Sequence, residues 1–223
     1  MKKILIAGYP EKTVNYEKAL TMPGVFPQTD LNVPYPDEYD ALVLPGGDDI
    51  DPVLFGQLNN GSRTIDRSLD RIQLMLLKEF VLRKKPILGI CKGMQIINVF
   101  FGGDIIQHLD CHATHEYIGH DQAHGTLARE HSFLANLYCT HFTVNSAHHQ
   151  GCGTPGRHLS YIQFAEDGTV EGLRHDTLPI IGVQWHPERM VFRPDETEMV
   201  DGRRLITYFI QMIPKGLSRE TLI

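Results

Sequence analysis

The nine residues Pro86-Ile87-Leu88-Gly89-Ile90-Cys91-Lys92-Gly93-Met94 constrain this chain more than any other stretch, because an apolar run passes directly into a cysteine held between glycines. Ile87 to Ile90 is short and wholly apolar, as suits a strand buried on both faces of a parallel sheet. The residues that follow, Met94 to Phe101, read as a helix. A strand turning this sharply into a helix forces its corner residue into a strained conformation, and flanking glycines leave room for it. The logic is that of G-x-S-x-G with cysteine replacing serine. Cys91 is therefore expected at the carboxyl edge of the sheet and at the positive end of a helix dipole. That setting favours the thiolate, the form that attacks carbonyl carbon. An arbitrary cysteine is more often a buried structural residue, but the two glycines tip this one toward a nucleophile.

The rest of the chain alternates strand and helix. Lys3 to Ala7 reads as a strand, Glu11 to Leu20 as a helix ended by Pro23-Gly24, and Val25 to Leu31 as a short second strand. Asp40 to Leu44 is another buried strand, opening into Pro45-Gly46-Gly47-Asp48-Asp49-Ile50-Asp51-Pro52. Consecutive glycines let backbone N–H groups approach a ligand without a side chain in the way, although an isolated Pro-Gly-Gly is usually a plain surface turn. Residues 53 to 64 read as loop. From Ile65 to Arg83, apolar positions at Ile65, Leu69, Ile72, Leu76 and Phe80 keep one helical face. After the elbow helix, Gly102-Gly103 ends it and Asp104 to Leu109 suggests a short strand. Ser132 to Leu137 suggests a short helix, and Thr143 to Gln150 leaves a strand for a polar loop. Tyr161 to Arg174 resembles a hairpin turning at Asp167-Gly168, and Thr197 to Met212 a last helix before a polar tail. This rhythm predicts one α/β domain over residues 1–223, a mainly parallel sheet with ligands beyond the strand carboxyl ends.

Composition narrows the classes of partner. With 42% hydrophobic and 22% charged residues, the chain suits a single soluble domain with a substantial core. A formal net charge of -6 gives no reason to expect nucleic acid. No segment approaches the roughly 20 consecutive apolar residues of a membrane span, and the apolar run of the first residues stops too early for a signal peptide; a cytoplasmic protein is expected. The four cysteines, Cys91, Cys111, Cys139 and Cys152, are too sparse for a disulfide scaffold. His108, His112, His115, His120, His124 and His131 fall within 24 residues. Cys111, His112, His115 and His120 suggest zinc, yet they form no closed Cys/His set and there is no Cys-x-x-Cys, so no metal and no cofactor are expected.

A second chemical centre lies in Pro179-Ile180-Ile181-Gly182-Val183-Gln184-Trp185-His186-Pro187-Glu188. A buried strand is expected to end at His186, which Pro187 biases toward an extended conformation. In an extended chain His186 and Glu188 share a face. A carboxylate beside one imidazole nitrogen would fix its tautomer and leave the other to take a thiol proton, completing a Cys, His, Glu triad. Alone, His-Pro-Glu would more often be a surface strand end.

Taken together, the strings Gly89 to Gln95, Val144 to Gln150, Gly182 to Glu188 and Pro45 to Pro52 resemble the class I glutamine amidotransferase-like superfamily. The likeness is greatest to its peptidase C26 branch, which includes γ-glutamyl-γ-aminobutyrate hydrolases. The resemblance spans about residues 40 to 190, with four motifs in order. It implies a flavodoxin-like three-layer sandwich with helices on both faces, and cleavage of a small-molecule γ-glutamyl amide through a thioester on Cys91. It makes Cys91 the nucleophile, His186 the general base and then acid, and Glu188 the orienting carboxylate. It assigns the oxyanion hole to the backbone N–H groups of Gly47 and Lys92, and the glutamyl pocket to Gln95 and His148. Three positions depart from the branch: Lys92 stands where Arg is usual, Gln73 where Glu is usual, and His108 replaces a common Asp. The segment between the first strand and Asp40 is also shorter. These bear on substrate choice more than on chemistry. Two other readings stay open, a glutaminase that supplies ammonia to a separate synthase chain and a non-catalytic ligand- or metal-binding module. The leaving amine and the oligomeric state, with a homodimer as one option, are not fixed by the sequence.

Overall fold

The computed structural model describes residues 1–191 and 198–214. In order they form β1 (Lys2–Ile6), α1 (Pro10–Leu20), β2 (Val25–Thr29), β3 (Ala41–Leu44), α2 (Arg67–Leu82), β4 (Ile87–Ile90), α3 (Lys92–Phe100) and β5 (Ile105–Ile106). Then follow β6 (Gln122–Ala128), α4 (Phe133–Tyr138), β7 (His141–Ser146), β8 (Gly151–Cys152), β9 (Leu159–Ala165), β10 (Val170–His175), β11 (Ile180–Val183), α5 (Pro187–Met190) and α6 (Arg203–Met212). The nine-stranded main sheet runs β2-β1-β3-β4-β11-β10-β9-β6-β7, and β5 pairs separately with β8. From β2 to β11 every pairing is parallel; from β11 to β7 every pairing is antiparallel. The parallel half carries the elbow, and the antiparallel half extends the sheet beyond it.

Strand side chains alternate strictly between two cores, as the pleat requires. Ile4, Ile6, Val43, Leu88, Ile90, Ile181 and Val183 pack on one face with α1 and α6. Leu5, Leu42, Leu44, Ile87 and Ile180 pack on the other with α2 and α3. Both faces being covered explains why these strands read as continuous apolar runs. The result is the three-layer α/β sandwich. No helix among the described residues is long and apolar enough to cross a membrane.

Several local expectations change. Residues 53–64 are not all loop, since Pro52–Phe55 forms a 3-10 turn capped by the Asp51 carboxylate, which accepts from the Val53 N–H. The elbow helix begins at Lys92, two residues before Met94, so Cys91 itself is its N-cap. Part of the histidine-rich stretch is strand β6, whose hydrogen bonds to β7 and β9 come from distant segments that local pattern does not show. β11 ends at Val183 rather than His186, and Pro187 opens α5, so Glu188 lies in a helical turn. The last helix starts at Arg203; Thr197 and the polar tail lie outside the described residues. The hairpin turning at Asp167-Gly168 forms as expected, with Gly168 at φ 89°.

Candidate active site

Cys91 occupies a backbone conformation, φ 53° and ψ −112°, that L-residues rarely adopt. Its N–H donates to Val183 O at 2.8 Å, tying the corner to β11. The glycines on either side are required by close approach. A Cβ at Gly89 would stand 2.6 Å from the Gly93 backbone, and one at Gly93 would overlap the carbonyl oxygen of Leu44. Elbow, α3 and β3 are thereby pressed together, and the thiol is presented at the first turn of α3.

His186 follows the adjacent strand, β11, which ends at Val183. His186 Nδ1 and Glu188 Oε1 are 2.8 Å apart, both buried. Pro187 starts the helical turn that brings Glu188 back onto the ring, so the pair meets by a turn and not by extended-chain alternation. Gly46 lies between His186 and Cys91. A Cβ there would sit 3.0 Å from His186 Cε1 and 3.3 Å from Cys91 Cβ. Burial alone would make His186 shed its proton, but the Glu188 carboxylate and then Cys91 outweigh it and push its pKa up to about 10. Asn145 clamps the His186 backbone, its Oδ1 accepting from His186 N at 2.9 Å and its Nδ2 donating to His186 O at 3.3 Å. Asn145 also donates to Asp121, which in turn accepts from Arg189.

The double-glycine loop borders the same site. Gly46 N–H donates to the Tyr16 hydroxyl at 2.9 Å, fixing the loop. Burial, followed by the charge of Glu188, raises the Tyr16 pKa well above its ordinary value and keeps the phenol protonated. The N–H groups of Gly47 and Lys92 find no backbone or side-chain acceptor among the described residues, which is the condition for an oxyanion hole. The Lys92 side chain points the other way, into a buried ion pair with Asp70 on α2 at 2.7 Å. Asp70 also accepts from Asp51 N–H at 2.9 Å. The Lys92 ammonium is thus committed to Asp70.

A cleft of about 200 Å³ opens in front of Cys91, bordered by Gly47, Asp49, Arg63, Gln95, His148 and His149 among others. Gln95 Nε2 donates to Gln184 Oε1 at 3.1 Å and Gln150 O at 3.3 Å, leaving its Oε1 without a partner among the described residues. Both nitrogens of His148 are turned to protein atoms, Nδ1 to Gln150 O at 2.9 Å and Nε2 to Glu171 at 3.4 Å. Sequence reasoning quoted Gln184 and Asn145 only as parts of motifs and missed Tyr16, Arg63 and Asp70. Gln184 Nε2 lies 3.5 Å from Cys91 Sγ. Arg63 sits in a segment with no periodic pattern, so only the folded loop discloses it.

The Peptidase C26 family model matches residues 3–188. The glutamine amidotransferase-like protein YvdE of Lactococcus lactis is 37% identical over 158 residues, covering 67% of this chain and 66% of that protein. A protein assigned as a glutamine amidotransferase in Schizosaccharomyces pombe is 31% identical over 220 residues, 92% of this chain and 84% of its own length. Gamma-glutamyl-gamma-aminobutyrate hydrolase PuuD of Escherichia coli is 30% identical over 165 residues, covering 67% of this chain and 64% of that enzyme. The crystal structure of a glutamine amidotransferase from Thermotoga maritima superposes with a TM-score of 0.59 at 16% identity, over 95% of this chain and 90% of that one. That likeness establishes the shared fold.

Proposed function

The chain belongs to the peptidase C26 family, and on that footing we propose that it is a cysteine hydrolase of γ-glutamyl amides of small molecules. The observation that carries the reading is the meeting of the strained Cys91 and the His186–Glu188 pair across Gly46. With its thiol proton passed to His186, Cys91 sulfur attacks the γ-carbonyl carbon; a C–S bond forms as the carbonyl π bond opens, and the oxyanion is received by the Gly47 and Lys92 N–H groups. With a pKa of about 10, His186 holds its proton at neutral pH. It gives that proton to the leaving nitrogen as the C–N bond breaks, releasing an amine and leaving a γ-glutamyl thioester. His186, now neutral, takes a proton from water as its oxygen attacks the thioester, and glutamate leaves as the C–S bond breaks. Arg63 and Asp49 line the cleft and place a cation and an anion there for the α-carboxylate and α-ammonium of the glutamyl group; substrate would share Arg63 with Glu116 and Asp49 with His149.

The relation to PuuD supports hydrolysis, whereas the relatives assigned as glutamine amidotransferases support a glutaminase that passes ammonia to a synthase. One panel separates the readings. Wild-type protein is expected to release amines from several γ-glutamyl amides unaided, and to turn over analogues lacking the α-carboxylate or α-amino group poorly. Cys91→Ala should lower the rate by about 10³-fold or more. Turnover confined to glutamine and dependent on a co-purified protein would favour the glutaminase. Full turnover by Cys91→Ala would rule out the proposed chemistry.

A further inference from the structure

Behind the cleft wall, outside the triad, three imidazoles converge on one buried carboxylate. Glu171 Oε1 is 3.4 Å from His124 Nε2, 3.4 Å from His148 Nε2 and 3.8 Å from His115 Nδ1. Glu171 is fully buried, and the side chains of His115 and His148 are only 1% and 3% exposed. The separations are long for N–H···O hydrogen bonds, which centre near about 2.9 Å. Accordingly, both Glu171 oxygens, His148 Nε2 and both nitrogens of His124 lack hydrogen-bond partners. Buried polar atoms are rarely left in that state without cause. The spacing does suit atoms sharing one metal. Ligands about 2.0–2.1 Å from a tetrahedral zinc lie about 3.3 Å apart, and the binding atoms of His115, His148 and Glu171 all fall within 4.8 Å of one another.

The surroundings have the form of a metal site's outer shell. The second nitrogen of His115, Nε2, lies 2.7 Å from Asp167 Oδ2, and that of His148, Nδ1, donates to Gln150 O at 2.9 Å. Ligating histidines are oriented by carboxylates and backbone carbonyls in this way. At 2.7 Å, the contact between His115 and Asp167 is a hydrogen bond and too short for two ligands of one zinc, so the alternative grouping of Cys111, His115 and Asp167 reads as outer shell. Glu171 is aimed by a β-bulge, since the β9–β10 register shifts between Val170 and Gly172.

We propose that His115, His148 and Glu171 form a binding site for one zinc-like divalent cation, with His124, whose Nε2 is 3.4 Å from Glu171 Oε1, drawn in as the fourth ligand when the ion binds. With His124 drawn in, three imidazoles and a carboxylate fill the four positions of a tetrahedral ion, so the site is structural. It ties four segments together: the turn ending at His115, β6, the loop after β7 and β10. Through His148 it fixes one wall of the cleft in front of Cys91.

The test uses full-length protein stripped with a chelator, then titrated with zinc in competition with a chromophoric chelator, with cobalt(II) as a spectroscopic substitute. The expected result is one equivalent of zinc per chain, visible cobalt bands of tetrahedral intensity, and a metal-dependent rise in the thermal midpoint. His124→Ala and Glu171→Gln should lose the equivalent and the bands, while His120→Ala should keep both. If either variant fails to fold, the cobalt spectrum of wild-type protein decides. Failure of wild-type protein to retain zinc or cobalt would overturn the proposal. So would full stoichiometry in folded Glu171→Gln, or loss of binding in His108→Ala, which would place the metal at the exposed His108–His149 contact. The hydrolase reading stands or falls separately, because none of these readouts depends on turnover.

Discussion

At the scale of single residues, the proposed reaction turns on where one proton rests. His186 is buried, which disfavours its charged form, yet the Glu188 carboxylate 2.8 Å away and the neighbouring Cys91 reverse the balance and set its pKa near 10. The group is therefore protonated through neutral pH and loses its proton only as pH rises through about 10. In the proposed reaction the leaving amine receives the proton on His186, so the acylation rate should hold level through neutral pH and fall on an alkaline limb near pH 10. Glu188→Gln removes the charge that supports the imidazolium, so that limb should move to lower pH. A pH profile of kcat/KM for both proteins checks this, and an unmoved limb would show that Glu188 does not set the His186 proton. Lys92 illustrates a different division of labour. Its ammonium neutralises buried Asp70, one turn before Gln73, whose amide donates to Ala7 O at 2.8 Å. The two departures at Lys92 and Gln73 thus share one neighbourhood, where Asp70 supplies the carboxylate for the ion pair.

At the scale of elements, the elbow works because three backbones come closer than any side chain allows. Gly93→Ala would drive a methyl group into the Leu44 carbonyl oxygen. The expected cost is about 3 kcal/mol or more, the upper end of overpacking. Gly47→Ala meets only Lys92 Cδ at 3.4 Å and should change stability by less than about 1 kcal/mol. Denaturant midpoints of the two variants test the contrast; equal midpoints would contradict it. The parallel strands were legible in sequence because burial on both faces leaves a plain apolar signature at Ile4–Ala7, Ala41–Leu44 and Ile87–Ile90. The Cys91 corner was legible because glycine spacing reports backbone crowding. Strand β6 was not: Gln122 to Ala128 mixes polar, small and histidine residues, and its pairing partners are remote in sequence. The association of His186 with Glu188 was anticipated, but its route was not, because Pro187 both ends an extended segment and starts a helix. Likewise His115, His124, His148 and Glu171 have no motif spacing, and only the folded sheet collects them.

At the scale of the whole molecule, one continuous sheet separates two cores, and the site lies where the parallel half meets the antiparallel half. β4 carries Cys91, β11 leads to His186, and β10, hydrogen-bonded to β11, carries Glu171. We expect this continuity to make the described fold one cooperative unit. Trp185, the only tryptophan, is fully buried and donates to Gln163 Oε1 at 3.0 Å, so its emission reports on the antiparallel half. Its unfolding transition should coincide with that of far-ultraviolet circular dichroism; separate midpoints would show that the two halves unfold independently. The central claim, that hydrolysis passes through Cys91, is tested most directly by acid-quenching the protein during turnover of a γ-glutamyl amide and locating any mass gain by peptide sequencing. The account predicts one glutamyl acyl group on the peptide containing Cys91, absent from Cys91→Ala. An unmodified Cys91 in protein that is turning over substrate, with the acyl group elsewhere, would contradict it.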